Sequence, residues 1–165
     1  MQELIIKNVK TAEYKDVNMN QLFDPQTEHQ KSFEFQNATV SSPHTTEGKL
    51  YVSFYTLMPG KTNFPYHHHS GMEEVYYIIS GTGALKTPEG EKTVTAGDVI
   101  VFPANPNGAH QLTNISNDVL VYLDIDTASS PEVMFFPDKG DFRIMTECAR
   151  KNFPLNAEVN YLRNE

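Results

Sequence analysis

Four of the six histidines sit at positions 67, 68, 69 and 110, and the acids Glu73 and Glu74 follow closely on the first three. Imidazole nitrogen together with carboxylate oxygen is a donor set suited to a borderline divalent cation. In a strand alternate side chains share a face, so His67 and His69 point together while His68 points away. Ser70-Gly71 permits a bend, after which a carboxylate can return to the same face from the next strand. That strand starts at Glu74 and carries Glu74, Tyr76 and Ile78 on one side. His110, just beyond a Pro/Gly turn, can add a third imidazole. Three imidazoles and one carboxylate leave two octahedral positions for water or substrate.

Short runs rich in Tyr, Phe, Val, Ile and Thr must position these side chains, with Gly, Pro, Asn and Asp between them and no long helical period. This pattern predicts an all-β sandwich or barrel. Strands are expected at Leu50–Met58, Glu74–Ser80, Gly83–Lys86, Glu91–Val94, Val99–Phe102, His110–Asn114 and Val119–Asp126. Pro59-Gly60, Thr87-Pro88-Glu89-Gly90 and Asn107-Gly108 supply turn chemistry between them. Residues 1–47 are more polar and less regular, and read as an N-terminal arm that packs on the barrel or on a partner. Within it Leu4–Val9 is expected as a strand, Asn18–Phe23 as a helical turn and Gln26–Lys31 as a loop. Residues 48–126 form the barrel. A break at Thr127-Ala128-Ser129-Ser130-Pro131 opens a tail over 127–165, in which the apolar run Val133–Phe136 is closed by a turn.

Thirteen basic against 21 acidic residues give a net charge of −8, which disfavours nucleic acid and anionic lipid as partners. The one cysteine, Cys148, permits no intrachain disulfide and reads as an inert tail residue of a protein in a reducing compartment. The N-terminus has no signal-type apolar region and no stretch reaches membrane-spanning length, so a cytoplasmic protein is expected.

The segment Gly60-Lys-Thr-Asn-Phe-Pro-Tyr-His67-His-His69-Ser-Gly-Met-Glu-Glu74-Val-Tyr-Tyr-Ile-Ile-Ser-Gly81 resembles the first cupin motif. Gly97-Asp98-Val-Ile-Val-Phe-Pro103-Ala-Asn-Pro-Asn-Gly108-Ala-His110-Gln-Leu-Thr-Asn114 resembles the second, with only 15 residues, Thr82 to Ala96, between them. The chain is thus similar to the cupin superfamily, and to its small single-domain bacterial-type members with the cupin 2 conserved barrel. The resemblance implies a double-stranded β-helix, a jelly-roll-type barrel, with N-terminal arm and C-terminal tail. It also implies that His67, His69, Glu74 and His110 bind one divalent transition metal (Mn, Fe, Ni, Zn, Co or Cu), the Glu-to-Gly spacing selecting Glu74 over Glu73. One extra residue lies between Gly60 and His67, and the Pro103–His110 stretch is two residues longer than the usual pattern. That second insertion makes His110 the ligand whose position most depends on a local turn.

Cupins include dioxygenases, decarboxylases, isomerases, epimerases and binding or sensor modules, so the fold does not select the reaction. A metalloenzyme acting on a small oxygenated metabolite is expected, with a non-catalytic metal-dependent ligand-binding or sensor module as the alternative. Arg143, Arg150 and Arg163 all lie in the tail, leaving the barrel without the guanidinium that commonly grips a carboxylate or phosphate. Dioxygenase-like chemistry is therefore favoured over decarboxylase or sugar isomerase chemistry, unless Arg143 folds back or Lys49 or Lys61 serves as a point charge. Tyr76 is a candidate to orient a ligand, with barrel filling as its other role. Glu73, Asp124 and Asp126 are candidates for acid–base work, with the end of an edge strand facing water as the other reading of the two aspartates. His68, His29 and His44 are given no chemical role. Similar barrels commonly dimerise through N-terminal strands, and Leu4-Ile5-Ile6 suits a homodimer of that kind.

Overall fold

The structure, a computed structural model, describes residues 4–19, 32–44 and 48–157. Within them the chain forms β1 (Lys15–Asn18), β2 (Ser32–Ser41), β3 (Leu50–Leu57), β4 (Lys61–Thr62), β5 (His68–His69), β6 (Glu74–Ser80) and β7 (Thr82–Thr87). There follow β8 (Gly90–Thr95), β9 (Val99–Phe102), a 3-10 turn (Pro106–Gly108), β10 (Gln111–Asn114) and β11 (Leu120–Thr127). The last three strands are β12 (Glu132–Phe136), β13 (Asp141–Met145) and β14 (Arg150–Pro154). No α-helix occurs among the described residues.

One sheet runs β8-β7-β10-β4-β2-β3-β11-β6-β9, with β1 paired to β2. Laid flat, its two end strands would stand roughly 38 Å apart, eight spacings of about 4.8 Å. Val94 of β8 and Phe102 of β9 nevertheless belong to one buried cluster with Leu57, Tyr76, Ile78, Leu112, Leu120 and Tyr122. The sheet therefore curls on itself around a single core, as a double-stranded β-helix. A second sheet, β14-β13-β12-β5, is built from the C-terminal segment and the histidine strand. An antiparallel bridge between His67 and His110 joins that strand to the head of β10.

Period-2 alternation explains which side chains turn inward. Glu74, Tyr76 and Ile78 of β6 are buried while Tyr77 is exposed, and Leu120, Tyr122 and Asp124 of β11 are buried in the same manner. Strands β6 and β9 have the expected bounds, and β3, β7, β8 and β11 differ by single residues. Three differences matter. The expected strand at Leu4–Val9 is absent: Leu4 and Ile6 are 87% and 83% exposed, with nothing among the described residues covering them. Strand β2 arises in the segment expected to be irregular; Phe33 and Phe35 point inward, alternating with Glu34 and Gln36, and the strand lies between β4 and β3. The tail contributes three strands, not an apolar run and a turn alone. The expected turn at Asn18–Phe23 begins at the end of β1 and otherwise lies outside the described residues, as does the Gln26–Lys31 loop.

The β6–β7 link depends on Gly81, whose φ is +88° and whose added Cβ would sit 2.7 Å from the Leu120 backbone. Gly90 has φ +109° but open space around it. Gly81→Ala should cost about 2–4 kcal/mol in urea unfolding, against about 1–2 kcal/mol for Gly90→Ala, where only backbone strain operates. Equal costs would mean that the close approach of β11 is relieved elsewhere.

Candidate metal centre

His67, His69 and Glu74 form a buried group whose ligand atoms all lie within 4.8 Å of one another. Glu74 Oε2 faces three imidazole Nε2 atoms, at 3.2 Å from His110, 3.7 Å from His69 and 4.0 Å from His67. Donors held about 2.1 Å from a common ion stand about 3.0 Å apart at right angles and about 3.4 Å apart in a tetrahedron. The observed separations are close to those edges and slightly wider. Glu74 Oε2 has no hydrogen-bond partner although fully buried, which fits a donor atom reserved for a cation. The residues present are thus able to hold a metal ion.

Each imidazole is turned by a contact at its other nitrogen. His67 Nδ1 lies 2.8 Å from Pro65 O, and His110 Nδ1 lies 2.9 Å from Gly108 O, so both Nδ1 atoms donate and both Nε2 atoms face the cluster. His69 Nδ1 faces Glu132 Oε1 at 3.4 Å. The inserted residues before His110 are absorbed by the 3-10 turn, which Asn105 caps by accepting from the Asn107 N–H at 2.9 Å. His110 consequently stays fully buried, its ring stacked on Phe102 at 3.7 Å.

Burial and then the neighbouring His110 lower His67 from its ordinary 6.5 to about 3, which leaves it neutral and ready to donate a lone pair. Burial opposes ionisation of Glu74, but the close contact with His110 and then His67 and His69 outweigh it. The Glu74 carboxyl is held below the usual carboxylate range. His69 is also desolvated, yet contact with Glu132 and the charges of Glu74 and Asp126 raise it.

Two further carboxylates adjoin this group. Asp126 pairs across strands with Glu74, Asp124 pairs with Tyr76, and the carboxylates of Glu74, Asp124 and Asp126 lie within 4.8 Å of one another. Strand β11 is central, between β3 and β6, so the alternative of an edge strand facing water is overturned. Burial, then Glu74 and Asp126, push Asp124 well above its ordinary range, and its Oδ1 has no partner. Burial and Glu74 push Asp126 up to about 8.

Tyr76 is fully buried, its hydroxyl 3.3 Å from His110 Nε2. Asn63 Nδ2 donates to the hydroxyls of both Tyr76 and Tyr122 at 3.2 Å, and Asn63 Oδ1 accepts from the Leu112 N–H. Sequence reasoning missed Asn63, Tyr122 and Glu132. For Asn63, lying inside the first motif was the available signal; nothing in the sequence pointed to Glu132. Of the other candidates, Glu73 is exposed and outside the cluster, and His68 turns away and stacks on Phe135 at 4.9 Å. His44 contacts Tyr51 on the surface, and His29 lies outside the described residues. Lys61 is occupied by Glu34 and Ser32, and Lys49 is exposed. The Arg143 guanidinium lies over the Phe136 ring at 5.5 Å while its Nε donates to Asn152 Oδ1 at 2.7 Å, and Phe136 in turn packs against His67.

A curled double-stranded β-helix with a histidine and carboxylate cluster on its inner face defines a small β-barrel protein able to bind a metal. Residues 53–126 match the family model described as a cupin domain, and the fold is similar to that of solved cupin structures. A solved sugar phosphate isomerase of that superfamily from Silicibacter pomeroyi DSS-3 is 15% identical with a TM-score of 0.76, over 94% of this chain and 96% of that one. A putative sugar phosphate isomerase from Acidithiobacillus ferrooxidans ATCC 23270 is 23% identical, TM-score 0.66, over 78% and 82%. A predicted oxalate decarboxylase from Thermotoga maritima is 20% identical, TM-score 0.60, over 77% and 100%. These likenesses establish the fold and not the reaction. No curated protein sequence matches the chain.

A carboxyl raised to about 8 in the folded chain, against about 3.9 unfolded, favours folding below the unfolded value and loses that benefit as pH rises through 8. Asp126→Asn should therefore raise the Tm of metal-free protein by about 4 °C or more at pH 9, with the gain shrinking toward pH 5. Calorimetry across that range checks it; a gain independent of pH would refute the assignment.

Proposed function

We propose that the protein is a metal-dependent enzyme in which His67, His69, Glu74 and His110 hold one transition-metal ion and Asp124 or Asp126 moves a proton on a small oxygenated metabolite. When bound, the ion would polarise a carbonyl or hydroxyl oxygen as a Lewis acid. The observation that carries the reading is the buried, unpartnered carboxyl of Asp124, with Asp126 beside it, directly against the donor cluster. A site that only binds ligand has no use for uncompensated carboxyls there, whereas proton transfer requires one within reach of the substrate. Burial keeps water from Asp124, and Tyr76, steadied by Asn63, can donate its hydroxyl proton to a ligand oxygen.

The sequence-based preference for dioxygenase-like chemistry rested on a barrel without arginine. Arg143 weakens that ground only slightly, because its guanidinium lies over Phe136, the ring next to His67, and its Nε already donates to Asn152 Oδ1. Proton transfer now has the better support. We also propose that the protein acts as a homodimer in a reducing compartment; exposed Leu4 and Ile6 and the exposed Val99 and Val101 of edge strand β9 support the first, and the free Cys148 the second.

The test is NMR in deuterium oxide with protein loaded separately with Mn, Fe, Co, Ni and Zn, against hydroxyaldehydes, hydroxyketones and their phosphates. Wild type should introduce deuterium at the carbon beside the carbonyl, and Asp124→Asn or Asp126→Asn should slow this by about 100-fold or more while retaining metal. Oxygen uptake without deuterium incorporation would instead indicate a dioxygenase, and ligand binding with neither would indicate a binding or sensor module.

A further inference from the structure

The three histidines of the cluster are not held alike. His67 and His110 each meet a backbone carbonyl two residues earlier in the chain, Pro65 O and Gly108 O. His69 has no such acceptor, since its strand β5 is paired to β12 with Met134 opposite it. The nearest acceptor is a carboxylate from the far end of the chain, Glu132 Oε1 at 3.4 Å, a contact not closed to a hydrogen bond in this structure, which leaves the buried Nδ1 otherwise without a partner. Glu132 is itself 1% exposed and tightly placed. Its Oε1 accepts from the Ser70 N–H at 2.9 Å, and its Oε2 accepts from the Gly71 N–H at 3.1 Å. An added Cβ at 71 would come within 2.8 Å of Glu132 Oε2 and 2.6 Å of Ser129 Oγ, so a larger residue there would push these side chains aside.

We propose that Glu132, delivered by the C-terminal sheet, is the positioning residue for His69: it accepts the Nδ1 proton and so turns the Nε2 lone pair toward Glu74. The inference rests on the cluster's being a metal centre and adds that the tail, outside the matched cupin domain, sets its strength. A carboxylate acceptor makes the opposite nitrogen a stronger donor than a carbonyl acceptor does. The same side chain ties down the peptide groups of Ser70 and Gly71, which lie between ligand strand β5 and Glu74. Burial of Glu132 is compensated by these N–H groups and by His69, which together hold its carboxyl below the usual range against the opposing effect of desolvation.

The experiment is Co2+ titration of tag-free protein followed by visible absorption, with 15N NMR of the histidine rings reporting the His69 tautomer. Glu132→Gln should weaken Co2+ binding about 10- to 100-fold, and Glu132→Asp, which keeps the charge on a shorter arm, should weaken it less. A packing role predicts the reverse order, since Gln is the isosteric replacement. Wild-type His69 should carry its proton on Nδ1 in the Co2+-free protein, and Glu132→Gln should mix the tautomers. If wild type takes up no Co2+, the metal-centre reading fails. If wild type binds and Glu132→Gln binds within twofold with the same tautomer, or binds better than Glu132→Asp, the role of Glu132 is overturned while the metal centre stands. Should Glu132→Gln not fold, the Asp variant decides: a retained Nδ1–H tautomer supports the proposal and a lost one refutes it.

Discussion

A carboxylate oxygen buried among three imidazole nitrogens is the constraint around which this barrel is organised. Glu74 Oε2 is buried without a formed hydrogen bond, and its carboxyl is held below the usual range chiefly by the neighbouring His110, with His67 and His69 adding to the effect. Such an arrangement is costly unless positive charge is supplied, and neutral His67 supplies none. A divalent cation resolves the imbalance by adding charge where the lone pairs converge. The electrostatics of the cluster and its donor chemistry thus point the same way.

Three structural layers serve that convergence. The curled sheet brings β6 and β11 together so that Glu74, Asp124 and Asp126 share the inner face. The bridge between His67 and His110 brings the two motif segments into contact across 43 positions of sequence. The C-terminal sheet then presents Glu132 to His69 and stacks Phe135 on His68, so the face of the histidine strand that turns away from the cluster is also covered. The polar interior is kept in order by Asn63, which fixes two tyrosine hydroxyls and one backbone amide at once.

How much of this was legible in the sequence depended on the range of the interactions. His67, His69, Glu74 and His110 were readable because strand alternation and motif spacing are local properties, and the strands β6 and β9 have the expected bounds for the same reason. Strand β2 was readable in principle from Phe33 and Phe35 alternating with polar neighbours, but the polar composition around it obscured the pattern. The expected Leu4–Val9 strand failed because apolar residues make a strand only where a partner and a covering layer exist. The placement of Glu132 was unreadable, since a contact such as Glu132 to Ser70 spans 62 positions and depends on how the tail pairs with β5. Asp124 changed meaning once β11 proved central and not an edge.

The most direct test of the account is metal stoichiometry. Protein purified without a histidine tag, stripped with chelator and retitrated with Mn, Fe, Co, Ni or Zn, should bind one ion per chain by elemental analysis and gain thermal stability on binding. His67→Ala and His110→Ala should each abolish stoichiometric retention. Absence of stoichiometric metal together with no thermal stabilisation by any of these ions would contradict the metal centre itself, and full affinity in His110→Ala would remove that residue from it.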